Sequence, residues 1–201
     1  MIICMFKIIG ITNRKLCKGD FFKQIEKVIE SGITTIVLRE KDLNDAEYER
    51  IAERLIKICD MMNAECILHG HLKVAEKKDC AAVHIPLPEL ERVSERNDFD
   101  KLTKKFKKTG TSCHSIWEAL RAVELGCSYI FAGHIFETDC KSGLPGRGVD
   151  FLKEIAENVK IPVYAIGGIT PDNVNRVMIK NVSGACVMSG IMQEEPMRFE
   201  I

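Results

Sequence analysis

Residues 131 to 148 read FAGHIFETDCKSGLPGRG, an apolar run that ends in His134 and passes at once into Glu137, Thr138, Asp139 and Lys141. An imidazole that titrates near neutral pH, followed by carboxylates, a hydroxyl and a cation, suits proton transfer beside a held anion. A packing element has no use for that ending. The other four histidines also close apolar runs: His69 and His71 in ECILHGH, His84 in AAVHIP and His114 in GTSCH. A lone histidine at such a place most often bonds a backbone carbonyl in a core or rim, but five together point to a site.

Cations fall at the same kind of position. Arg39 and Lys41 lie two apart at the end of TTIVLREK, so an extended chain turns both to one side, where they can meet one negative group. A solvated rim pair is the plain alternative. Lys141 and Arg147 share a loop with Gly143, Gly146 and Gly148, a second cationic cluster and a candidate lid. Two glycine-bearing runs, AIGGI (165 to 169) and VMSGI (187 to 191), put backbone N–H groups where a phosphate can approach without a Cβ in the way. Gly168, Ser189 and Gly190 are the phosphate candidates; alternatively, Gly167 and Gly168 merely turn the chain. His69 and His71 have an H-x-H spacing, but no carboxylate has an evident place beside them to complete a metal site.

These groups need a frame that gathers strand ends. Eight β-rich runs alternate with segments of helical period: FKIIGIT (6 to 12), TTIVLRE (34 to 40), ECILHG (65 to 70), AAVHIP (81 to 86), GTSCH (110 to 114), YIFAGHIF (129 to 136), PVYAIGG (162 to 168) and GACVMSG (184 to 190). Phe22, Ile25 and Ile29, and likewise Tyr48, Ile51, Leu55 and Ile58, form apolar stripes to lay on a sheet. Asn44 three before Glu47, Ser115 three before Glu118, and Thr170 ahead of Pro171 mark helix starts. The pattern predicts one (β/α)8 TIM barrel spanning 1–201, with an open doubly wound sheet as the alternative. In such a barrel the working face lies at the C-terminal strand ends, where all of the groups above fall.

Two stretches fit less well. PLPELERVSERN (86 to 97) carries two prolines and many charges, which predicts a loop with at most one short helix. Eleven residues interrupted by Pro196 follow Gly190, marginal for a closing helix. Either the barrel closes imperfectly or a partner subunit in a homo-oligomer covers the gap.

Composition narrows the partner. Lys plus Arg equals Asp plus Glu at 29 each, so no global field draws nucleic acid or an anionic membrane, and a small molecule is the expected partner. No apolar run approaches the roughly 20 residues of a membrane span, and MIICMFKIIGIT reads as a first strand. Nine cysteines without a C-x-x-C pair suggest free thiols in a reducing cytosol, hence a cytoplasmic protein.

GTSCHSIWEA, SYIFAGHIFETDCKSGLPGRG, IPVYAIGGITPDNV and GACVMSGI together resemble the thiamine phosphate synthase superfamily over nearly the whole chain, and GHIFETDCK resembles its TenI-type branch. The resemblance implies a thiamine phosphate synthase-like TIM barrel and, for the TenI branch, a thiazole tautomerase. Its substrate would be a carboxythiazole-ylidene ethyl phosphate, made aromatic by moving one proton. His134 would be the general acid/base. Arg39 and Lys41, then Lys141, would face the carboxylate; Ser112, His114 and Thr138 would position the ring; Gly168, Ser189 and Gly190 would hold the phosphate. No cofactor or metal is implied for that reaction.

Departures from the synthase branch carry the choice. Where synthases have Asn-Asp, whose carboxylate helps to bind magnesium, this chain has His69-Gly70; the usual glutamine is Val37, the usual proline is His134, and PLPEL replaces an acidic motif, with Glu89 as its only echo. Losing those ligands argues against displacing pyrophosphate. The alternatives are a Mg-dependent thiamine phosphate synthase and a non-catalytic binding or regulatory protein of the same pathway.

Overall fold

A computed structural model describes residues 6–95 and 105–200. Each β-rich run becomes a strand: β1 (Lys7–Ile11), β2 (Thr35–Leu38), β3 (Glu65–His69), β4 (Ala82–His84), β5 (Lys108–Cys113), β6 (Tyr129–Gly133), β7 (Val163–Ile166) and β8 (Val182–Val187). Neighbours pair in parallel, and β8 returns to β1 with Lys7 opposite Gly184 and Gly10 opposite Val187, closing an eight-stranded barrel.

The outer layer holds α1 (Phe21–Glu30), α2 (Asp45–Met61), α3 (Leu72–Lys77), α4 (Leu87–Glu95), α5 (Ile116–Glu124) and α6 (Gly148–Asn158). Their starts follow from the sequence. Asp20 accepts from the N–H groups of Phe22 and Lys23, Asn44 and Glu47 form a capping box, and Ser115 accepts from the Glu118 N–H. Ile25, Val28, Tyr48, Leu55 and Leu152 seal the outside of the sheet, while Ile9, Ile11, Val37, Ile67, Tyr129 and Phe131 fill the barrel. The strands are thus buried on both faces, which is why they read as nearly unbroken apolar runs. Inward parity continues from Val37 to Arg39 and Lys41, from Ile67 to His69, and from Ala82 to His84, carrying those side chains to the mouth.

Three expectations need correction. Residues 87 to 95 form the nine-residue helix α4 where mostly loop was expected; Pro86 precedes it and Pro88 lies in its first turn, where no N–H is needed, and residues 96 and 97 lie outside the described part. Thr170-Pro171 starts no α-helix. Asn173 accepts from the Thr170 N–H at 2.9 Å and donates to the Gly168 carbonyl at 2.8 Å, and only a 3-10 turn follows at Val174–Val177. After β8 comes another 3-10 turn, Ser189–Ile191, yet closure does not suffer: the sheet is continuous, and Gln24 of α1 donates to the carbonyls of Ile191 at 2.8 Å and Gln193 at 2.5 Å.

The seven described cysteines with placed side chains are free thiols. Among the described residues, no helix is long and apolar enough to cross a membrane.

Candidate active site at the barrel mouth

The C-terminal strand ends open into a cavity of about 610 Å³ whose wall includes Arg39, Lys41, His69, His84, Ser112, His114, His134, Thr138, Lys141, Gly168 and Ser189. Four of the five histidines therefore converge. His71 does not: its backbone is left-handed, φ 44°, and its ring stacks on Tyr48 at 3.9 Å between centroids, with Nδ1 2.6 Å from Asp45 Oδ1. Gly190 is absent from the wall and packs against Met197, whose Sδ would lie 2.2 Å from a Cβ there. Arg147 also turns away, its guanidinium 5.4 Å from the Phe151 ring.

Alternation at the end of β2 separates charge. Arg39 and Lys41 face the cavity, while Glu40 between them points outward and is buried. Glu40 Oε1 accepts from Thr12 Oγ1 at 2.8 Å and from the Arg14 N–H at 2.9 Å, and Oε2 accepts from the Arg14 guanidinium at 3.0 Å. Thr12 Oγ1 in turn accepts the Arg39 N–H at 3.0 Å, clamping that backbone. Glu40 is thereby neutralised on the far side. Among the described residues, no carboxylate pairs with Arg39, Lys41 or Lys141. Burial, then the charges of Arg39 and Lys141, push the Lys41 ammonium below its usual pKa, a tension that a bound anion would relieve.

The histidines differ in what they can do. Tyr129 Oη donates to the Val83 carbonyl at 3.2 Å, so it accepts from His84 Nδ1 at 3.3 Å; His84 Nε2 then accepts from Ser112 Oγ at 2.9 Å. Burial above all, then the nearby His69, Arg39 and Lys41, keeps His84 neutral, with its pKa well below the usual value. It is an orienting group, stacked on Phe131 at 4.3 Å. His114 Nδ1 donates to the Gly133 carbonyl at 2.6 Å, leaving Nε2 as its acceptor. His69 stacks on His84 at 5.3 Å.

His134 is 6% exposed. Nε2 donates to the Leu144 carbonyl of the candidate lid at 3.3 Å, and buried Nδ1 has no hydrogen-bond partner. The Gly133–His134 peptide is cis. Neighbouring glycines make room for this ring: a Cβ on Gly167 would lie 2.3 Å from His134 Cβ, and one on Gly168 would lie 2.3 Å from the Glu137 carbonyl. Their φ values are +102° and +65°. The glycine pair therefore serves the packing of the β6 loop as well as lining the cavity.

Sequence reasoning passed over several lining or supporting groups. Leu87, Pro88, Glu91 and Glu118 complete one wall. Tyr129 orients His84 from two residues before inward-facing Phe131, so strand parity was a usable signal for it. Tyr48, on α2, donates its hydroxyl to the Leu38 carbonyl at 2.7 Å and accepts the His69 N–H at 3.0 Å, contacts that no local pattern announces.

The magnesium implied for synthases by the family likeness calls for several oxygen ligands. Among the described residues, no group of three His, Cys, Asp or Glu side chains is placed to hold a metal. The wall's two carboxylates are engaged, Glu118 by the His114 N–H at 2.5 Å and Glu91 by Arg121 at 3.7 Å. The other polar side chains of the wall are cations, imidazoles and the hydroxyls of Ser112, Thr138, Thr170 and Ser189, a donor set without the free carboxylates that suit a divalent magnesium ion.

Comparison with known proteins gives a consistent family. The chain matches the family described as Thiamine monophosphate synthase over residues 8–191. It is 34% identical over 194 residues to the Thiamine-phosphate synthase of Clostridium acetobutylicum, covering 96% of this chain and 90% of that one. It is 35% identical over 193 residues to the Thiamine-phosphate synthase of Fusobacterium nucleatum, covering 94% and 90%. The solved Thiamine phosphate pyrophosphorylase from Pyrococcus furiosus superposes with a TM-score of 0.79 at 31% identity, covering 93% of this chain and 87% of that one. These relatives carry synthase or pyrophosphorylase names, and none of the three is named as an isomerase.

Proposed function

Because the chain belongs to the thiamine monophosphate synthase family, we propose that it acts on a thiazole phosphate of thiamine biosynthesis, and that its reaction is a metal-independent isomerisation. The observation that carries this reading is the composition of the mouth: a nearly buried His134 shares one cavity wall with Arg39, Lys41 and Lys141, with which no described carboxylate pairs, and among the described residues no set of carboxylates is placed for magnesium. The proton leaves the ring carbon bearing the carboxylate and arrives at the exocyclic carbon, so substrate and product have the same composition. His134 takes the proton and returns it, ending in its starting state. Arg39 and Lys41 lower the barrier by offsetting the carboxylate and the charge that grows on the carbanion. Gly168 and Ser189 receive the phosphate, and Ser112, His114 and Thr138 fix the ring. Gly190 belongs to the same turn, where only its backbone N–H could reach the phosphate, since its Cβ side faces Met197.

A second reading, thiamine phosphate synthesis from a hydroxymethylpyrimidine diphosphate, is favoured by the names of the relatives at 34 and 35% identity. Arg39, Lys41 and Lys141 suit a pyrophosphate, but the lack of a carboxylate ligand set among the described residues counts against it. Two assays separate the readings. Aromatisation of the carboxythiazole-ylidene phosphate, followed by ultraviolet absorbance in the presence of a chelator, supports isomerisation. Pyrophosphate release that appears only with Mg²⁺, with no aromatisation, makes the chain a synthase. Tight thiazole phosphate binding with neither reaction makes it a binding protein.

A further inference from the structure

One titratable side chain in the cavity is used by neither reading. His69 ends β3, and its ring nitrogens make no hydrogen bond to any other described residue, its own backbone being the one group that bonds the ring. Its ring stacks on His84 with 24° between planes. The ionisable groups around it are Arg39 and Lys41 beyond β2, His84 on β4, His71 in its own loop and the Tyr48 hydroxyl from α2. The acidic neighbours are taken: Asp45 by His71, and Glu40 by Thr12 and Arg14.

We propose that His69 is a proton-coupled anion ligand: a negative group docked between Arg39 and Lys41 draws a proton onto its ring, and the imidazolium becomes that anion's next cation. Burial first, then Arg39 and Lys41, push the free ring down to about 4 from 6.5. An anion placed among these three groups offsets the charges of Arg39 and Lys41, removing the repulsion that they add to burial, so a proton on the ring is favoured relative to the free protein. Binding and protonation then favour each other by the same factor. His84 cannot take this part, since both of its nitrogens are bonded. The inference rests on reading Arg39 and Lys41 as the anion end of the cavity, but not on which reaction follows.

Sulfate is the suitable probe because it keeps its charge across the relevant pH range, so any proton taken up belongs to the protein. The His69 ring is followed by NMR, assigned with His69→Gln, and proton uptake is measured by calorimetry in buffers of different ionisation enthalpy. Saturating sulfate should raise the His69 midpoint by about one unit or more. Between the free midpoint of about 4 and the raised midpoint of the sulfate-bound protein, affinity should strengthen as pH falls, by up to about tenfold per unit. His69→Gln should bind without proton uptake and with a flatter pH profile, and Arg39→Met should raise the midpoint without sulfate. A midpoint that stays put while the signals of Arg39 and Lys41 report bound sulfate overturns the proposal, as does wild-type protein that takes up sulfate with no proton or does not bind it. No turnover enters these readouts, so a protein that fails as an isomerase can still pass, and an active isomerase can still fail.

Discussion

Gly167 lies against His134 so closely that any side chain there would overlap it, with an ideal Cβ 2.3 Å from His134 Cβ. The positive φ of +102° adds backbone strain for any other residue. Gly167→Ala should therefore displace the imidazole and destabilise the fold by more than about 1 kcal/mol. If the proposed isomerisation is the reaction, turnover should fall far more than the melting temperature, and equal loss in both would mean that the contact matters only for packing.

His134→Asn keeps a polar side chain of similar reach but removes the titrating ring. Turnover should drop by about 10²- to 10⁴-fold. Binding of the aromatic thiazole phosphate, measured by calorimetry, should change little. Surviving turnover would move the acid/base role to another group, with His114 the first to test.

Arg14→Met removes the guanidinium that neutralises Glu40 and leaves that buried carboxylate with the Thr12 hydroxyl and one N–H. Chemical denaturation should show a loss of roughly 3 kcal/mol. Glu40→Gln in the same background should restore part of it, since the orphaned charge is then gone. The unmasked negative charge in Arg14→Met should also raise KM for an anionic substrate more than it lowers kcat.

Stability should fall on acidification before the carboxylates titrate. His69 titrates near 4 when folded and near 6.5 when unfolded, so within that interval the unfolded chain binds more protons. Its contribution is complete above 6.5 and is lost as pH drops toward 4, by up to roughly 3 kcal/mol. His84 shifts the same way. Asp20, held low mainly by the Lys23 N–H, and Asp42, held low mainly by Arg14, contribute above their unfolded pKa values and lose that stability only at lower pH. Urea midpoints measured from neutral to mildly acidic pH should therefore fall less steeply in His69→Gln than in the wild type.

The barrel was legible because its strands alternate with amphipathic helices and end in polar residues. Arg39 and Lys41 followed from strand parity, and His69 and His84 from their places at strand ends. His71 broke that rule because its left-handed backbone turns it toward Asp45 on α2, a long-range contact with no local signature. The α4 helix was hidden by prolines that look like breakers but sit where a helix tolerates them. At Thr170 the opposite happened: a good start signal was spent on a turn once Asn173 folded back onto Gly168. Gly190 had the expected position after β8, but Met197, from the last described stretch, occupies its open side. Which family the chain belongs to was readable; which of that family's reactions it performs depends on side chains that meet only after folding.

The buried phenol of Tyr48 spans two backbones that part company just where β2 and β3 end, beyond the Leu38 and Leu68 pair. It acts as a surrogate peptide unit, extending the ladder by one step with a side chain from outside the barrel. Loops 39 to 41 and 69 to 71 can thus leave the sheet with their last amide and carbonyl already satisfied. Natural variation can rewrite the chemistry carried on those loops while this one keystone on the rear helix preserves the opening's shape.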